Sequence, residues 1–451
     1  MNGVLQWHSL AQLSVADMAV RFDLPNWLLL GFVFVLGTIV GSFLNVCVYR
    51  LPQHERLWDS LTGLVSPPSS CPRCRTEIAW YDNVPVMGWL LLRGRCRVCK
   101  MWISPQYPII EFLNGLLFLA VFLLEVPLGI GGTLADSCLF TTMGPETIPG
   151  LGSLSPEIFL LLRYAFHMVL IEALLVASLI DIRLMIIPDG STLPAMVFAV
   201  IAAASVGRLH LLPVWFQSPR IASDFAETLP AFLSWMLFDG PRVPEWISTS
   251  PHWHGLVASV VGLLVGGGVV WCVRVIGGFI LRREAMGDGD VVLMAMVGAF
   301  VGWQPVLIAF FLAPVAALVV VAVRFAFRRD QMIPYGPYLS LATLIVILCW
   351  SRIWPGFERL FNTGTLLILL MVIGTVLFAG ILLLMQGAKW LLGIPLGGED
   401  EEVLGWFAAD QNHYLAGEKQ DRFTGIWRQE DWPGNSSGRG AAFNDRWRYG
   451  R

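Results

Sequence analysis

Charge is what this chain has least of. Asp, Glu, Lys and Arg make up 14% of its 451 residues, where a soluble domain carries about 25%. That scarcity excludes an ordinary water-soluble enzyme. The formal net charge is only −3, so charge makes no case for nucleic acid as a partner. No cleavable signal peptide is evident either. Residues 1–26 scatter Asp17, Arg21 and Asp23 through mixed text and lack the basic, apolar, small-residue order of a leader. The first apolar span is therefore expected to act as its own insertion signal. No internal repeat is evident. What the chain has in quantity is apolar sequence, 56% of all residues, and the class this implies is an all-α polytopic membrane protein.

Runs long enough to cross roughly 30 Å of hydrocarbon fall at 27–49, 107–125, 158–181, 255–281, 305–326 and 364–386. Shorter candidates lie at 191–206, 288–302 and 335–350, which makes eight or nine crossings. The loop at 50–106 carries Arg50, Arg56, Arg73, Arg75, Arg93, Arg95, Arg97 and Lys100, whereas 126–157 has no Lys or Arg. Cationic loops stay in the cytoplasm, so the expected orientation is N-terminus out and C-terminus in. Arg183, Arg282-Arg283 and Arg328-Arg329 then fall inside if every run crosses. The expected organisation is an external segment at 1–26, a first span at 27–49, a cytosolic loop at 50–106 and a membrane domain at 107–386. An external insertion, rich in Pro and Trp, interrupts that domain at 207–254. Residues 387–451 read as a polar cytosolic tail, largely disordered.

Four of the eight cysteines form two tight pairs, Cys71/Cys74 and Cys96/Cys99. Two CxxC knuckles about twenty residues apart match a zinc ribbon, and cytosolic thiols stay reduced. Structural zinc is the expectation and a redox pair the alternative. Four thiolates close the coordination shell, so catalysis by this metal is not expected. Cys47, Cys272 and Cys349 lie in apolar runs and read as buried small hydrophobes.

Two acids stand out. Asp181 closes the apolar run at 158–181, and Asp290 sits in Met286-Gly287-Asp288-Gly289-Asp290 between two others. A carboxylate in a bilayer costs at least a few kcal/mol and is a functional candidate by default. The orientation scheme puts both at the same membrane edge, where two carboxylates can share one proton and activate one water. Plainer readings exist: Asp181 as a helix-end acid paired with Arg183, and Asp290 as an N-cap of a helix at 291–302. Gly287 and Gly289 permit the close approach that an extended peptide needs, or simply pack helices. Asp189 in Pro188-Asp189-Gly190 is a turn or helix-start residue. Glu111 reads as an anchor of the cysteine loop to the membrane face. His252 and His254 lie beside an interface where His and Trp are common. His167 reads as a hydrogen-bonded core residue, and Glu172 has no partner that sequence names.

Six motifs occur in a specific order. They are Gly41–Pro52, the CxxC pairs, Ser104–Glu111, Asp181 with Pro188-Asp189, Met286–Asp290, and Ile333–Tyr338. Together, over about 30–350, they resemble the bacterial type IV prepilin peptidases, the bifunctional leader peptidase/N-methyltransferases of the GxGD aspartic class. The resemblance implies Asp181 and Asp290 as the catalytic pair; Gly287, Gly289, Asp189 and Glu111 are the residues expected to bind the substrate. It implies prepilins or pseudopilins of a type IV pilus or type II secretion machinery as substrates, cut at the cytosolic face of the bacterial inner membrane. It also implies methylation of the new N-terminus from S-adenosylmethionine, associated with the cysteine loop. Two departures bear on this. The Asp181–Asp290 spacing is lengthened by 207–254. Arg93-Gly94-Arg95-Cys96 carries Arg where many relatives have Lys, and no soluble Gly-rich fold for the methyl donor is visible. A peptidase without methylation, a non-enzymatic zinc-ribbon scaffold and a transporter are the alternatives.

Overall fold

The structure is a computed structural model. It describes residues 25–53, 57–65, 68–71, 73–125, 156–216, 243–282, 286–327, 334–364 and 366–392, with short pieces at 223–224, 230, 232, 419–420 and 427–428. The expected external segment up to residue 24, the loop at 126–155, part of the 207–254 insertion (chiefly 217–222, 225–229 and 233–242), Arg328-Arg329 and nearly all of the tail lie outside the described residues.

The described chain is helical apart from a two-residue antiparallel pair, β1 (Lys419–Gln420) with β2 (Trp427–Arg428). The helices are α1 (Asn26–Arg50), α2 (Leu57–Val65), α3 (Met87–Leu91), α4 (Gln106–Glu125), α5 (Pro156–Leu184), α6 (Asp189–Val206) and α7 (Glu245–Thr249). They continue as α8 (Pro251–Leu281), α9 (Asp288–Val301), α10 (Trp303–Phe327), α11 (Gly336–Leu348), α12 (Trp350–Phe361) and α13 (Leu366–Leu391). Among them, α1, α4, α5, α6, α8, α10 and α13 are each long and apolar enough to cross a membrane.

The two shortest expected crossings differ from the rest. The 288–302 run is α9, a helix of 14 residues and so about 21 Å long. Its side chains are enclosed by protein: Leu293, Met294, Met296, Val297, Ala299 and Phe300 are all fully buried. A helix that meets protein on every side is not held to the thickness of the lipid around it. The 335–350 run is α11, and the chain then bends by 96° into α12. In α12, Trp350 stacks on Trp354 and Trp354 on Phe361, with ring centroids 5.3 and 6.0 Å apart. Phe216 and Trp303 close over the same aromatic face. The aromatic face of α12 is thus buried in the main core of the protein.

Lipid tails are as apolar as leucine, so burial alone does not associate these helices, and close backbone packing does. The tightest pairs are α8–α9 and α1–α4. Between α8 and α9, a Cβ on Gly262 would overlap the Gly298 carbonyl, and one on Gly298 would overlap the Gly262 carbonyl. Those two positions must be glycine for the backbones to touch. The α1–α4 pair is stitched by Asn114 donating to the Gly37 carbonyl (3.0 Å) and Asn45 to the Tyr107 carbonyl (3.2 Å). The main core joins α5, α6, α8, α9, α10 and α11, and a second cluster seats α1 and α4 on α5. Of the cysteines expected to be buried, Cys47 is, Cys349 is half-buried and Cys272 faces outward. Cys272 sits on a helix whose inward face is given to glycines, which leaves its side chain on the lipid side.

Candidate active site and metal centre

Asp181 lies in the last turn of α5 and is 5% exposed; Asp290 lies in the first turn of α9 and is 8% exposed. They lie within electrostatic reach of each other. Each carboxylate is held by a backbone donor. Gly336 N–H donates to Asp181 Oδ2 at 3.1 Å, and the Gly287 N–H donates to Asp290. The expectation that Asp290 is itself an N-cap is adjusted by one turn position. The cap is Gly287, and Asp290 is the third helical residue, reaching back to the cap N–H as the acid of a capping box does. The expected Asp181–Arg183 pair does not form. Asp181 takes its proton donor from α11, and Arg183 lies near Tyr107 of α4.

The wall between the acids is built from residues that sequence reasoning did not single out. Ile187, in the α5–α6 turn, wedges between two helix starts. A Cβ on Gly289 would stand 2.9 Å from Ile187 Cβ, and one on Gly336 would stand 3.0 Å from Ile187 Cδ1 and 2.6 Å from Asp181 Oδ2. Tyr335 lies within electrostatic reach of Asp290. Gly336 and Tyr335 belong to the Ile333–Tyr338 motif, which was the available signal. Gly287 lies beside Asp290, its would-be Cβ 3.6 Å from Oδ2. Asp189 is the first residue of α6, exposed, at the same end of the bundle. Asp288 is turned away from Asp290 and forms an ion pair with Arg274 of α8.

Glu111 is not beside the aspartates. It is buried on α4, and its Oε2 accepts the Val86 N–H at 2.7 Å. Val86 is the N-cap of α3 and has φ 60, ψ −52. Glu111 thus ties the four-cysteine loop to the membrane helix, as the sequence suggested for the anchor.

Cys71, Cys74, Cys96 and Cys99 converge, with all four sulfurs within 4.8 Å of one another. Cys71 and Cys99 Sγ are 3.7 Å apart, and Cys74 and Cys96 Sγ are 4.0 Å apart. A tetrahedron with Zn–S of about 2.3 Å has edges of roughly 3.8 Å, so the donor set fits zinc. The two knuckles repeat each other. Cys71 N–H bonds the Thr76 carbonyl and Arg75 N–H the Cys71 carbonyl, as Cys96 N–H bonds Met101 and Lys100 N–H bonds Cys96. Arg75 and Lys100 both have positive φ, 56 and 58. Bridges Ser70–Glu77 and Arg95–Trp102 close both turns. This local repeat is one of hydrogen bonding and backbone angle, which residue identity does not display. The local environments of the thiols differ. Hydrogen bonds from Thr76, side chain first, pull Cys74 down to about 6. The Met101 N–H works to lower Cys99, yet desolvation and the neighbouring thiols leave it raised to about 11.

The histidines at the other end of the bundle are structural. His254 Nε2 accepts the Val214 N–H at 3.0 Å, His252 bonds the Ala204 carbonyl at 3.0 Å, and His210 bonds Ala299 at 3.2 Å. They fasten residues 207–216 to α6, α8 and α9. His167 bonds Glu125 in the core, and Glu172 lies beside Asn114. Among the described residues, the four cysteines alone form a metal-binding cluster.

Residues 35–124 match the family described as the Bacterial Peptidase A24 N-terminal domain, and residues 226–322 match the Type IV leader peptidase family. The chain is 30% identical over 335 residues to the prepilin leader peptidase/N-methyltransferase of Pectobacterium carotovorum subsp. carotovorum, covering 70% of this chain and 91% of that relative. It is 30% identical over 273 residues to the protein of the same name from Klebsiella pneumoniae, covering 60% and 85%. For that of Aeromonas salmonicida (strain A449) the figures are 28% over 345 residues, 71% and 91%. No solved structure matches. With nearly the whole of the Pectobacterium protein aligned, and both the four-cysteine loop and the second acid inside matched regions, the chain belongs to the type IV leader peptidase family.

Proposed function

We propose that this chain cleaves the leader peptides of type IV prepilins or pseudopilins, with Asp181 and Asp290 as its catalytic pair. One observation carries the reading: two buried carboxylates, 109 positions apart by their numbering, lie within electrostatic reach of each other at helix ends, each held by a backbone N–H. Neighbouring carboxylates hold one proton between them. The ionised member takes a proton from water as its oxygen attacks the scissile carbonyl. The protonated member donates to the developing oxyanion, and the tetrahedral species collapses as the amine leaves with a proton. The two roles belong to the pair and not to either residue. Gly287, Gly289 and Asp189 edge the approach for an extended peptide, and Glu111 positions the loop above it.

The proposed setting is the inner membrane of a bacterium, N-terminus out and C-terminus in, so that the pair faces the cytosol and the pilus or secretion machinery. In that scheme 50–106 is the zinc-binding loop and 107–386 the peptidase domain. The relatives' names add N-methyl transfer. The loop is its proposed seat and S-adenosylmethionine the proposed donor.

The test is co-expression with candidate prepilins, followed by mass spectrometry of the mature N-terminus. Asp181→Asn and Asp290→Asn are each expected to leave the precursor uncut in membranes. The wild-type rate is expected to fall on both sides of an optimum, at low pH when both carboxyls are protonated and at high pH when the shared proton is lost. Substantial cutting by either variant ends the assignment. A cut but unmethylated product would mean a peptidase alone.

A further inference from the structure

A cleft with a volume of about 250 Å³ opens between α3 and the start of α4, away from the aspartates and the thiols. Trp89 and Leu90 line it from α3, and Pro105, Pro108, Ile109, Phe112 and Leu113 from α4. Every one of these side chains is apolar. The cleft is held open by fixed contacts. Glu111 holds the N-cap of α3, Trp89 Nε1 donates to the Ile103 carbonyl at 3.1 Å, and Gly94 packs on the Trp89 ring. Trp102 meets Trp89 edge-on at 6.3 Å.

Two observations say what covers it. The first is continuity. Ile109, Phe112, Leu113 and Leu116 are exposed along α4, a helix long and apolar enough to span. That exposed face is the one lipid would cover, and it runs without a break into Leu90 and Leu91, which are 53% and 78% exposed. The second is charge. Arg93 and Arg95 directly follow the apolar rim and are exposed, and neither has a carboxylate partner among the described residues. Paired tryptophans and arginines at the end of a span are the signature of the headgroup level. A peptide in the cleft would bring backbone N–H and C=O groups that these walls cannot satisfy. An acyl chain brings none.

We propose that this cleft is a binding site for an anionic phospholipid, an acyl chain lying between Trp89 and α4 and the phosphate meeting Arg93 and Arg95. The site would seat the four-cysteine loop on the membrane surface, independently of how the aspartates act. The experiment is native mass spectrometry of the full chain released from vesicles of phosphatidylglycerol or of phosphatidylcholine. Wild-type protein is expected to retain phosphatidylglycerol and to exchange phosphatidylcholine freely. Ile109→Trp, which fills the cleft, and the double variant Arg93→Gln/Arg95→Gln, which changes only exposed groups, are each expected to cut retention about tenfold. Thermal melting and metal content show that each variant has folded. Equal retention by both folded variants, equal retention of the two lipids, or displacement of the lipid by a prepilin peptide crosslinked at Ile109 would overturn the proposal.

Discussion

Gly336 is the residue on which the proposed site depends most without taking part in chemistry. Its N–H is a donor to Asp181, and its missing side chain is what lets the carboxylate in; a Cβ there would stand 2.6 Å from Oδ2. Forcing an atom into such a space costs about 1–3 kcal/mol, and the least costly relief is for Asp181 to turn away. Gly336→Ala is therefore expected to lower kcat by roughly tenfold or more, with KM for the prepilin little changed. Gly374→Ala serves as the control, since nothing lies within 4 Å of a Cβ there. An unchanged kcat in a folded Gly336→Ala protein would mean that Asp181 is positioned by something else. The contrast shows what sequence can carry at this scale. Asp181 and Asp290 are legible because an acid in apolar text is expensive wherever it points. The donor that fixes Asp181 is a backbone N–H from 155 positions away, and a backbone amide leaves no mark on the residue's identity. The cap role of Asp290 was legible in kind and misplaced by position, because glycine and aspartate are both good caps and only the geometry chooses between them.

At the scale of elements, length was legible where lipid dictates it. Each long run became a helix of spanning length, because backbone groups in hydrocarbon must be paired within the segment. The rule loosens for α9, which is surrounded by protein, and for the mostly buried α11, and it says nothing of α12, whose apolar residues recur at helical spacing without forming a run. The four-cysteine loop obeys a different constraint. Its knuckles have few buried apolar side chains; of the four ligands only Cys71 is buried. Turns of this kind draw their folding energy from the metal. Purified protein is expected to carry about one zinc ion per chain, and Cys71→Ser to lose it. Chelation should expose 70–103 to limited proteolysis while prepilin cleavage in the membrane core persists, since Asp181 and Asp290 are held by α5, α9 and α11. Metal-free wild-type protein with an undigested loop would remove zinc from the account.

At the scale of the molecule, the architecture separates what the site needs from what surrounds it. The end of α5 and the starts of α9 and α11 converge on the aspartates, and the Gly262–Gly298 backbone contact and the histidine-fastened turn at 207–216 close the other end of the same helices. The lengthened spacing between Asp181 and Asp290 is thereby absorbed far from the proposed site, because the chain leaves α6 and returns through α8 at that distant end. The last long helix stands apart. Only Leu366 and Leu367 of α13 are buried; along its length it packs on α8, where Gln386 donates to the Ile280 carbonyl at 3.4 Å. Among the described residues, the hydrogen bond that holds Asp181 comes from α11 and not from α13. A chain ending after Asn362 loses the buried Leu366 and Leu367 and is expected to be less stable, yet to insert, fold and cut prepilin at a rate within about tenfold of the full chain, since the residues proposed to act lie elsewhere. A chain ending after Phe327 removes α11 and with it the donor to Asp181, and is expected to be inactive. Cleavage assayed in membranes, with each truncated chain quantified by immunoblot, separates the cases. If the longer truncated chain is present at normal levels and fails to cut, α13 or the tail contributes to the site, and the division of the molecule drawn here is wrong.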